Sequence, residues 1–109
     1  MGRASRKKPF RLAEKLREAR LSLGYAQGPL VEALGLSDEI RRQDISDFET
    51  GKREPPLRVL LKYSRLANVY MEVFADDALD LPNSLPCSPK SSGIERKTGP
   101  KPRPGKPGS

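Results

Sequence analysis

Glycine and proline cut the apolar pattern of this chain into pieces that suit only short helices. Leu12, Leu16, Ala19 and Leu23 recur at helical spacing and form one apolar stripe. Pro9 suits the first turn of that helix, and Gly24 can close it. Leu30, Val31 and Leu34 predict a second helix over 27–34, with Pro29 inside its first turn and Gly35 beyond it. Ile45 and Phe48 mark a third helix that ends at Gly51. Ser46 to Glu49 spell a capping box, but a helix starting there would have no room before Gly51. After Pro55 and Pro56, the spacing of Leu57, Leu60, Leu61 and Ala67 predicts a fourth helix over about 56–67. Asn68 suits its left-handed end. A fifth helix over 70–75 adds Val73 and Phe74. No stretch alternates with period two, so no sheet is expected.

Five short helices predict an all-α fold, a compact bundle with a small core of Leu, Val and Ile. With 109 residues, 35% of them hydrophobic and no Trp, the chain suits one small domain with tails. Most of the eleven prolines and nine glycines lie toward the C-terminal end. The expected organisation is a flexible basic arm at 1–9, a helical domain at 10–76, and a disordered tail at 77–109 rich in Pro, Lys and Ser.

Charge divides the chain in the same way. Residues 1–20 hold eight cations and two acids, and residues 82–109 hold six cations and one acid. Residues 21–81 hold seven cations and eleven acids. Basic ends around a mildly acidic centre attract polyanions, nucleic acid first and an anionic membrane surface second. There is no histidine, and the one cysteine, Cys87, has no partner for a disulfide or a metal site. No cofactor, no metal and no enzymatic activity are expected. No apolar run approaches the roughly 20 residues that span a bilayer. The first residues carry charge without an apolar segment, so a cytoplasmic location is expected.

The second and third helices, joined by a glycine-containing turn, can form a helix-turn-helix. The stretches LREARLSLGYAQGPLVEALGLS and ISDFETGKREPPLRVLLKYSRLANVYMEVF resemble the Cro and phage-repressor helix-turn-helix family, also called XRE. The resemblance covers roughly residues 12–75, and its most specific part is DFETGKREP. It implies a lambda-repressor-like fold, double-stranded DNA as partner, and a homodimer as one assembly open to the chain. It implies a prokaryotic or phage-derived regulator, cytoplasmic and nucleoid-associated when bound. A protein-interaction module on the same fold, antitoxin-like or an adaptor subunit, is the competing expectation.

The resemblance also assigns roles. Gln27 falls where the family reaches the DNA backbone, and Ser46 where a small polar residue lies near phosphate. Arg20 and Glu49 match a buried pair joining the first helix to the third. Lys52 and Arg53 follow the glycine that ends the third helix, where the family meets phosphate. The chain departs from the pattern at Ala26, at Gly28-Pro29 and at Thr50. The segment SDEIRRQD before Ile45 is longer than the family's by about four residues, so either the turn is extended or the third helix begins early. This places Arg41, Arg42 and Gln43 at the start of the third helix as candidate base readers. Asp44 and Asp47 lie on the same side. Either they accept from cytosine, or they repel phosphate and Asp44 serves as a cap.

Overall fold

The structure, a computed structural model, describes residues 9–95. Five helices follow in order: α1 (Leu12–Leu23), α2 (Gln27–Ala33), α3 (Arg42–Glu49), α4 (Leu57–Ala67) and α5 (Glu72–Ala75). Two short strands, β1 (Leu79–Asp80) and β2 (Ile94–Glu95), come after them.

The stripe on α1 buries Leu12, Leu16 and Ala19 against α3, α4 and α5. Gly24 ends the helix with φ +86°, and its N–H bonds to the carbonyls of Arg20 and Leu21. That left-handed turn costs a glycine nothing. Leu30 and Val31 of α2, Leu34 and Leu36 beyond it, and Ile45 and Phe48 of α3 complete one side of the core. On α4 the buried face runs through Val59, Leu60, Tyr63 and Ala67. Leu57, expected on that face, is exposed, and Leu61 is half-buried, while Val59 and Tyr63 face inward in their place. Tyr63 meets Phe74 edge to face, with ring centroids 6.1 Å apart. Asn68 takes the left-handed conformation at the end of α4, with φ 57°.

The expected absence of a sheet is corrected in a small way. Leu79 pairs with Glu95 and Asp80 with Ile94, antiparallel. Strands of two residues are too short to show an alternating pattern. Likewise, residues 77–95, expected as the start of a disordered tail, lie against the helices. Leu85 is buried in the core. Cys87 N–H donates to the Ala67 carbonyl at 3.0 Å, and Asn68 Nδ2 donates to the Cys87 carbonyl at 2.6 Å. Tyr70 N–H donates to Ser91 O at 2.9 Å, and Ser91 N–H to Asn68 O at 3.2 Å. One apolar side chain and a few backbone bonds secure a segment that low hydrophobic content marks as disordered. Residues 1–8 of the arm and 96–109 of the tail lie outside the described residues.

The start of α1 is tied to this same segment. Pro9 and Phe10 precede the helix rather than opening it. The Asp77 carboxylate accepts from the N–H groups of Phe10 and Arg11 at 3.2 and 3.1 Å, doing the work of a cap from a distant part of the chain. Arg11 donates to the carbonyls of Asp77 and Leu79 at 2.7 and 3.0 Å and pairs with Asp80.

Candidate nucleic-acid interface

The α2–α3 connection decides what α3 presents. Gly35 N–H returns to Glu32 O and Leu36 N–H to Val31 O, which closes α2. The Leu36 carbonyl then accepts from both Glu39 and Ile40, at 2.8 and 3.0 Å. The additional residues therefore fold as one separate helical turn, and α3 does not begin early. Leu36 is fully buried and Ile40 half-buried, which anchors the turn. Arg58 of α4 holds its outer side through two bonds to the Glu39 carboxylate, at 2.9 and 2.8 Å. The Arg58 hydrogen bond is the main cause of the lowered Glu39 pKa.

Arg41 is extended, with φ −127° and ψ 172°, and α3 starts at the next residue. Asp44, in the first turn, accepts from the Arg41 N–H at 2.9 Å. This bond to an orphan donor, followed by the Arg53 guanidinium, holds the Asp44 carboxyl below its usual range. Arg41, Arg42 and Gln43 are exposed together at this end of the helix. Ile45 and Phe48 point the other way into the core, which fixes the rotation of α3. Ser46 is half-buried, and its carbonyl accepts from Thr50 Oγ1 at 2.9 Å.

Behind α3, Arg20 and Glu49 meet through two bonds: Nε to Oε2 at 2.7 Å and Nη2 to Oε1 at 3.0 Å. Their side chains are 11% and 3% exposed, so the pair is well shielded from water. Arg20 also donates to Tyr25 O at 3.0 Å, and its pKa is raised chiefly by the Glu49 hydrogen bond. Gln27 Nε2 lies 3.3 Å from Glu49 Oε1. The first residue of α2 is thus tied to the last residue of α3.

Lys52 and Arg53, the two loop cations, differ. Lys52 is exposed, and its N–H bonds to Asp47 O at 2.9 Å. Arg53 folds back over α3. Its Nη1 lies 2.6 Å from Asp44 Oδ1 and 3.7 Å from Asp47 Oδ2. Its guanidinium sits 5.3 Å above the centre of the Phe48 ring. Asp47 also accepts from Gln43 Nε2 at 3.1 Å.

Sequence reasoning missed Lys15. It is fully buried, and its ammonium donates to Val73 O at 2.7 Å and Asp76 O at 2.8 Å at the end of α5. Burial first, and the Arg11 charge second, push its pKa down. The signal was present, because Lys15 stands three residues after Leu12 and four before Ala19, on the apolar stripe.

A glycine-containing turn between two helices, with an exposed polar end on the second and a buried Arg–Glu pair behind it, is the geometry on which the comparison with known families bears. The profile of a family described as helix-turn-helix matches residues 16–74. The chain belongs to the helix-turn-helix family of Cro and the phage repressors. A protein from Bacillus subtilis (strain 168), the SPbeta prophage-derived uncharacterized HTH-type transcriptional regulator YonR, is 38% identical over 56 residues. The match covers 51% of this chain and 48% of that protein, so the chain spans about half the length of its relative. No solved structure matches. Within the helix-turn-helix unit, α2 and α3 are the paired helices. The match ends at residue 74, so the segment over 77–95 lies beyond the matched residues. No helix among the described residues is long and apolar enough to cross a membrane.

Proposed function

We propose that this helix-turn-helix protein is a sequence-specific regulator of transcription that binds double-stranded DNA, with α3 in the major groove. The observation that carries the reading is the shared exposure of Arg41, Arg42 and Gln43 at the N-terminal end of α3, on a helix locked from behind by Arg20 and Glu49. Helix-turn-helix proteins contact base edges with that end of their second helix. Arginine pairs with guanine and glutamine with adenine, so the three side chains have the chemistry for direct readout. Exposed Lys52, just past α3, positions the protein on phosphate and carries no sequence information. Two copies related by a two-fold axis would read half-sites about 10 bp apart. The name of the Bacillus relative, a transcriptional regulator, supports the reading.

Selection from random duplex DNA at a stated salt concentration tests it, and a recovered palindrome is the expected result. On that duplex, Arg42→Ala is expected to cost about 1–3 kcal/mol and to relax preference at one base pair. Lys52→Ala is expected to weaken all sequences alike and to reduce the salt slope by about one. Recovery of no sequence, with Arg42→Ala weakening selected and scrambled duplexes equally, overturns sequence specificity.

A further inference from the structure

Asp44 and Asp47 lie on the α3 surface that the proposed complex turns toward phosphate. Repulsion is the simple expectation for them. Yet all four of their carboxylate oxygens have a partner in the protein. Asp44 gives Oδ1 to Arg53 at 2.6 Å and Oδ2 to the Arg41 N–H at 2.9 Å. Asp47 gives Oδ1 to Gln43 at 3.1 Å, and its Oδ2 lies 3.7 Å from the same Arg53 Nη1. The Phe48 ring closes a third side of the guanidinium. Arg53, a cation on the loop that would flank the duplex, spends its charge on the helix beside it. The cluster of two acids and one base sums to a charge of −1.

Resting on the DNA-binding reading, we propose that Asp44 and Asp47 are specificity-determining residues that act by competing with DNA phosphate for Arg53. A guanidinium binds a carboxylate and a phosphate through the same fork of donors. In the free protein one arm of that fork, Nη1, is already held between the two carboxylates. A duplex of arbitrary sequence gains little from Arg53, because a phosphate must displace Asp44 and Asp47 and then face both acids uncompensated. The correct sequence adds base contacts from Arg41 and Arg42, which offset that exchange. The acids therefore depress non-specific binding more than specific binding.

Four full-length proteins test this: wild type, Arg53→Ala, Asp44→Asn/Asp47→Asn, and the variant carrying all three changes. Each is titrated with the duplex recovered by selection and with a scrambled duplex of equal length, between about 50 and 200 mM salt. Arg53→Ala alone is expected to leave the salt slope on scrambled DNA nearly unchanged, since Arg53 makes no phosphate contact there, while lowering scrambled-duplex affinity because Asp44 and Asp47 lose their counter-charge. The two Asp→Asn changes are expected to raise scrambled-duplex affinity by about tenfold and selected-duplex affinity by less, steepening the slope by about one. Adding Arg53→Ala to them should remove that steepening. If Arg53→Ala lowers the slope by the same amount with and without the acids, Arg53 contacts phosphate independently and the competition is overturned. Asp47→Asn alone leaves the Asp44 bond to Arg41 intact, and it carries the same comparison if the double change impairs folding. Failure of every variant to bind either duplex overturns the DNA-binding reading and this inference together. Binding with additive effects overturns the inference alone.

Discussion

Tyr63 is the largest fully buried side chain, and among the described residues its hydroxyl has no hydrogen-bond partner. Leaving such a group unpaired costs about 1–3 kcal/mol. Tyr63→Phe keeps the ring against Phe74 and removes the orphan, so it is expected to stabilise the protein by about 1 kcal/mol in urea unfolding. It also changes the alkaline response. Burial, and then the Glu49 charge, raise the folded-state pKa of Tyr63 above its ordinary value of 10.0. The unfolded chain releases that proton near 10, while the folded chain keeps it. Tyr63 therefore lowers stability as pH rises above about 10, and the Phe variant should lose that part of the decline. Equal pH slopes for the two proteins would show that the hydroxyl is solvated. Glu49 presents the opposite case, a buried group fully engaged by Arg20 and Gln27. Glu49→Ala leaves Arg20 buried without its partner, at a cost of about 3–5 kcal/mol. A melting point within a degree or two of wild type would contradict this.

At the scale of elements, the segment over 77–95 depends on close approach between backbones. Gly93 has φ +90°, and a Cβ there would stand 2.9 Å from Val73 Cγ2 and 3.1 Å from the Asp80 carbonyl. Gly93→Ala is expected to lift β2 from α5 and lower stability by more than about 1 kcal/mol, the cost of the backbone conformation alone. Gly35→Ala, where φ is +76° and nothing lies within 4 Å, should show only that backbone cost. Equal melting points for the two variants would mean that β2 yields without strain. The same contrast explains what could be read from the sequence. The four longer helices have glycine, asparagine or proline at their boundaries and apolar spacing of three and four, so propensity and burial agree there. The Arg20–Glu49 positions came from the family resemblance, because a pair 29 residues apart leaves no periodic signal. The Arg53 cluster was half-legible. Its acids and its cation are plain in the sequence, but only the fold back over Phe48 shows that they meet. The placement of Leu85 and the Asp77 cap depends on the tertiary fold, and local composition points the other way.

For the whole molecule, the basic tail and the packed segment before it are one continuous stretch with two effects. Truncation after Leu81 removes buried Leu85, the Cys87 and Ser91 bonds and β2. It also removes six cations and one acid, taking the net charge from +7 to +2. Loss of the Leu85 burial alone is worth about 2 kcal/mol, or on the order of 10 °C in melting temperature for a domain of this size. Weaker binding to any duplex at low salt is expected alongside it. Unchanged melting, with binding reduced, would show that the packed segment contributes charge but no stability. The clasp of Arg11 and Asp77 gives this fold an order of events. Its bonds join residues 66 to 69 positions apart, whereas the helix-turn-helix is built from much shorter separations. Closing so long a loop carries a somewhat larger entropy cost, so the clasp is expected to form after α1 to α4 have assembled. The same ordering in reverse predicts that residues 77–95 open as a unit while α2 and α3 stay folded, and hydrogen exchange is expected to reach the backbone amides near Ser91 well before those of α3.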